Sequence, residues 1–81
     1  MVEETLAERF GYLVRRLRKE KGYSQEEFSF RVGLHQTYVS SVERGQRNVT
    51  IQTASRIAKA LGTTMADLFG ELERGSDDTG D

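Results

Sequence analysis

The sequence predicts a single all-α domain, a five-helix bundle, and three observations carry that expectation. Apolar residues recur at helical spacing in every ordered segment, with no β-type alternation. Glycine follows each helical stretch while proline is absent. The chain of 81 residues is too short for a second hydrophobic core.

Taken in order, the first helix is expected over roughly Thr5 to Lys21, where Leu6, Phe10, Leu13, Val14 and Leu17 form one stripe and Gly22 follows at the C-terminal end. "SQEE" reads as a capping box, Ser24 to Glu27, opening a short second helix from about Gln25 to Val32 that Gly33 ends. A third helix should run from about Gln36 to Arg44, with His35 at its N-terminal boundary and Gly45 behind it. Thr50 can cap a fourth, about Ile51 to Leu61, on the stripe Ile51, Ala54, Ile57, Ala58 and Leu61. Thr64 can cap a fifth, from Met65 to about Glu73, carrying Leu68, Phe69 and Leu72. The domain is expected over 1–74. Residues 75–81, "GSDDTGD", read as an acidic disordered tail.

The net charge of −1 conceals a polarised chain. Residues 9–59 hold eleven Lys or Arg against four acids, a formal +7, between an N-terminal −3 and a C-terminal −5. A basic middle suits a polyanionic partner, although charge runs also serve as solvated helix faces. Without cysteine there is no disulfide framework and no thiolate metal site. The lone histidine, His35, has no further ligands clustered in sequence, so no metal and no cofactor are expected. No apolar run approaches the roughly 20 residues of a membrane span, and the N-terminus lacks a signal-peptide apolar region. A cytoplasmic, nucleoid-associated protein is expected. No nucleophile–base–acid set or phosphate-cradling glycine loop suggests an enzyme.

Two short helices joined by a glycine turn describe a helix-turn-helix, with Phe28, Val32, Leu34, Val39 and Val42 turned inward and the small Ser29 allowing close approach. "SQEE", "RVGL", "YVSSVERGQRN" and "IAKALG" occur here in the order and spacing of the lambda-repressor-like family, which includes Cro-like and xenobiotic-response-element regulators. The resemblance spans roughly Phe10 to Phe69. Within that family the chain is most similar to the small controller proteins of restriction–modification systems. Ser29 and Gln36 stand where such proteins often carry Ala and Arg, so the target sequence does not carry over.

The resemblance implies a sequence-specific transcriptional regulator that binds double-stranded DNA as a homodimer on a palindromic operator, with the third helix in the major groove. Base contacts are expected from Gln36, Thr37, Ser40 and Ser41. An amide can pair with adenine in bidentate fashion, and Thr offers a methyl and a hydroxyl. Phosphate contacts are expected from Gln25, Tyr38, Arg44, Arg47 and Asn48, with Tyr38 equally able to pack on the second helix. Arg18 and Glu43 are expected to form a structural ion pair, and Arg18 could also offer an N–H to phosphate. Dimerisation is expected through Val49, Ile51, Met65, Leu68, Phe69 and Leu72, which exceed the needs of a small core. An antitoxin-like module holding an unidentified protein partner is the alternative reading.

Overall fold

The computed structural model describes residues 3–78, with side chains through Arg74. Five α-helices follow one another: α1 Leu6–Glu20, α2 Gln25–Val32, α3 Gln36–Glu43, α4 Ile51–Ala60 and α5 Met65–Asp78. The first four end within a residue of expectation. The fifth extends beyond Glu73, and residues 79–81 of the expected acidic tail lie outside the described residues.

Local chemistry explains where the helices begin. Thr5 Oγ1 accepts from the Glu8 amide at 3.0 Å while the Glu8 carboxylate accepts from the Thr5 amide at 2.8 Å, a capping box that the sequence reading did not single out. Ser24, Thr50 and Thr64 likewise accept from the amides of Glu27, Thr53 and Asp67. For Ser24 only the forward half of the expected box forms.

The helices close around Phe28, Ile57, Leu68, Val14 and Val42, all fully buried, with Phe10, Leu13, Val32, Val39, Ala54, Ala58 and Leu61 completing the core. Burying each larger side chain contributes about 1.5–3 kcal/mol. Helix α1 packs on α3 and α5, α2 on α3 and α4, and α4 on α5. The approach of α1 to α3 requires Gly11, where a Cβ would collide with the Val42 carbonyl oxygen and lie 3.0 Å from the Glu43 carbonyl. At the turn between α2 and α3, Gly33 adopts φ 80°, a left-handed conformation that glycine enters without a Cβ clash.

Candidate nucleic-acid interface

The start of α3 differs from the other four helices. His35 occupies the N-cap with no side-chain hydrogen bond to the helix, and as in α4 no acidic residue lies in the first turn. Among the described residues it is the one helix start without a side-chain cap. Its first-turn amides therefore keep free donors, with the positive end of the helix dipole behind them. Gln36 and Thr37, the first two residues of that turn, are both exposed.

Behind this exposed edge α3 is held rigidly. Val39 and Val42 are buried in the core, and Glu43 at its last turn is gripped by Arg18 of α1. Arg18 donates through Nε to Glu43 Oε2 at 2.7 Å and through Nη2 to Oε1 at 3.0 Å, a two-pronged pair. The remaining Arg18 nitrogen, Nη1, donates to the Tyr23 carbonyl at 2.9 Å. The Gln25 amide nitrogen also donates to Glu43 Oε1, at 3.2 Å. One buried carboxylate thereby ties α1, the α1–α2 corner and the start of α2 to the end of α3. The side chains of Arg18 and Glu43 are only 9% and 4% exposed, and no buried side-chain polar atom among the described residues lacks a partner. The expected ion pair is therefore present in the structure. All three Arg18 guanidinium nitrogens donate internally from a side chain only 9% exposed, which directs the group at Glu43 and Tyr23.

The structure sorts the other expected residues. Ser40 is half-buried, and its hydroxyl meets the guanidinium of Arg44, which also donates to the Gln46 side chain at 3.2 Å. Ser41 is buried, and its hydroxyl donates to the Thr37 carbonyl at 3.0 Å, so it faces the core and leaves the base-reading set. A residue one position from Ser40 lies about 100° round the helix, which is why the two serines part. Ser29 is satisfied in the same way, donating to the Gln25 carbonyl at 2.8 Å, so a hydroxyl is accommodated where the α2–α3 approach needs a small side chain.

Gln25 is half-buried against Glu43 at the N-terminus of α2. Tyr38 is half-buried against the core, with the Arg47 guanidinium over its ring at 5.3 Å from the centroid. Packing and cation–π stacking thus occupy the Tyr38 ring. Arg44, Arg47 and Asn48 are exposed on the loop after α3. His35 is exposed at the boundary.

On another face, Ile51 is 80% exposed, Phe69 is 37% exposed, and Val49, Met65 and Leu72 are half-buried. They do not include Leu68, which is 0% exposed and belongs to the core, one helical step from its exposed neighbour. Leu6, assigned to the buried stripe from periodicity, is instead exposed. It lines an open apolar groove of about 360 Å³ with Phe10, Val49, Ile51, Phe69 and Leu72.

Arg56 escaped the sequence reading. From α4 its Nη2 donates to the carbonyls of Val32 and Gly33, at 3.0 and 2.8 Å, closing the C-terminus of α2 across the helix-turn-helix turn. No local signal marks a partner 23 or 24 residues away. Among the described residues no cluster of His, Asp or Glu could hold a metal ion, and no helix is long and apolar enough to cross a membrane.

The chain matches the helix-turn-helix family profile over residues 14–68. Control protein C.MunI of a Mycoplasma species is 43% identical over 67 residues, covering 82% of this chain and 90% of its own. Control protein C.BamHI of Bacillus amyloliquefaciens is 47% identical over 61 residues, covering 74% and 75%. The restriction–modification controller protein C.Esp1396I, solved as a tetramer in complex with its natural 35 base-pair operator, superposes with a TM-score of 0.81 at 32% identity, covering 89% of this chain and 95% of that one. With an exposed helix start on a rigid all-α frame and this kinship across most of its length, the chain belongs to the helix-turn-helix family of DNA-binding transcriptional regulators.

Proposed function

We propose that the chain regulates transcription by binding a palindromic operator as a symmetric homodimer, with the N-terminal turn of α3 in the major groove. The observation that carries this reading is the uncapped, acid-free start of α3 presenting exposed Gln36 and Thr37. Gln36 reads a base edge through its amide and Thr37 through its hydroxyl and methyl, with Ser40 beside them. Phosphates on either side are met by the start of α2 at Gln25 and by Tyr38, Arg44, Arg47 and Asn48. Groups of this kind fix register rather than sequence.

One recognition helix reads about four or five base pairs, so a two-fold pair of helices is needed to define a site. The apolar face of Val49, Ile51, Met65, Phe69 and Leu72, extended by Leu6, is the surface we assign to the partner copy. The operator complex of the related C.Esp1396I supports duplex DNA as the ligand.

The test is binding to the duplex immediately upstream of the gene, against a scrambled duplex, across a salt series. Specific binding should exceed non-specific by about a thousandfold or more, and Gln36→Ala should lose about 1–3 kcal/mol of that discrimination. Equal, steeply salt-dependent affinity for both duplexes would leave only backbone attraction and defeat the reading.

A further inference from the structure

A second cationic surface lies apart from α3 and its loop. Where the ends of α1, α2 and α4 meet, a groove of about 590 Å³ is lined by Lys21, Arg31, Arg56 and Lys59 together with Tyr23. No carboxylate lines it, and none of the residues assigned above to DNA does.

Basic side chains near helix C-termini have an ordinary use, neutralising the negative end of the dipole. Three such ends border the groove, at Lys21, Val32 and Ala60. At about half a charge each, with the Glu27 carboxylate that pairs with Arg31, they offset roughly two and a half of the four cations. About one and a half positive charges remain uncompensated, in a chain whose formal total is −1.

Two of the four cations are already held in place. Arg31 lies over the Tyr23 ring, 4.5 Å from its centroid, and donates to Glu27 Oε2 through Nε and Nη2. Arg56 reaches both turn carbonyls through one nitrogen, Nη2. Its Nε and Nη1, and Nη1 of Arg31, make no hydrogen bond among the described residues. Lys21 extends its ammonium toward Gly62, at 3.2 Å from where a Cβ on that residue would stand. The ammonium groups of Lys21 and Lys59 have no carboxylate partner among the described residues. Guanidiniums with spare donors beside two ammoniums without carboxylate partners are the groups that recognise phosphate oxygens.

We propose that this groove binds contiguous phosphate groups, as a site separate from the recognition helix. That chemistry is offered by the duplex backbone flanking an operator and by free inorganic polyphosphate. The full chain would be titrated with sodium triphosphate, following backbone amide resonances, and with operator duplexes carrying short or extended flanks across a salt series. Wild type would be compared with the double variant Lys21→Ser/Lys59→Ser, with thermal unfolding confirming the fold.

Saturable shifts at Tyr23, Arg31 and Lys59 with triphosphate, weakened about tenfold in the variant, would identify a free-phosphate site. A salt slope that falls by about two in the variant, on the extended duplex only, would identify flanking backbone. Either result supports the proposal. No triphosphate shift at millimolar concentration, together with identical salt slopes for both proteins on both duplexes, overturns it. The triphosphate titration requires no operator, so it stands whatever the outcome of the operator experiment.

Discussion

Two faces of this small bundle handle polarity in opposite ways. At the end of α3, polar groups are drawn inside: Arg18, Glu43, the half-buried Gln25 and the Tyr23 carbonyl form one hydrogen-bonded set, and no buried side-chain polar atom among the described residues lacks a partner. Around the α4 and α5 face, apolar groups are left outside: Ile51, Phe69 and Leu6 are exposed beside an apolar groove. A buried ion pair is seldom the most stabilising way to fill a volume. Here its geometry specifies how α1, α2 and α3 meet, and so the angle at which Gln36 and Thr37 are presented. The exposed apolar face does nothing comparable for the lone chain, because side chains in water gain no burial. The first face serves precision within one chain, and the second is the one proposed above to meet another copy.

The largest effect should come from breaking the buried set. Glu43→Ala leaves the Arg18 guanidinium buried without its counter-charge and should cost about 3–5 kcal/mol, read as a shift in the urea unfolding midpoint. Replacing both partners, with Arg18→Met and Glu43→Leu, should recover most of that loss while loosening operator discrimination. Full discrimination in the double variant would show that the pair has no role in presenting α3.

Next in size is Gly11→Ala. Its Cβ must displace the Val42 carbonyl, wedging α1 from α3 at about 1–3 kcal/mol, and differential scanning calorimetry would register the drop. An unchanged melting temperature would mean that the two helices do not approach this closely in solution.

On the apolar face, Ile51→Asp should leave the unfolding of the isolated chain almost unchanged, because that side chain is 80% exposed. Its dimer dissociation constant should nevertheless rise about tenfold or more by sedimentation, since a carboxylate would be buried in each half of a symmetric contact. If wild type sediments only as a 9.2 kDa species at micromolar concentration, the assignment of this face to a second copy fails. The smallest change, Thr64→Ala, removes the side-chain cap of α5 and should cost about 1 kcal/mol in thermal unfolding. A loss that also weakens association would tie the start of α5 to the partner contact.

Much of the architecture is legible locally. Ser24, Thr50 and Thr64 mark helix starts because a short hydroxyl satisfies an amide two or three residues away, a relation contained within one turn. Gly33 marks an end for an equally local reason, the left-handed conformation of the residue itself. The stripes in α1 and α4 foretold most of the core, and the α1–α3 ion pair was foretold by family resemblance rather than by spacing. Gln36 and Thr37 are exposed at the start of α3, the helix start expected there.

What the sequence determined by itself, then, is the set of helices, the ends of the first four and the polar character of the α3 start, because each depends on neighbours a turn or less away. Tertiary structure alone decided where each helix's buried stripe stops. Periodicity marks a stripe but not its edges, so Leu68 is sealed while Phe69 is partly bare, and Ser41 turns inward while Ser40 meets Arg44. It also decided that Arg56 would close α2 from a helix further along the chain, and that Leu6 would stand in the open. Those outcomes depend on where distant segments come to rest, because burial and a long-range hydrogen bond exist only once the helices have packed.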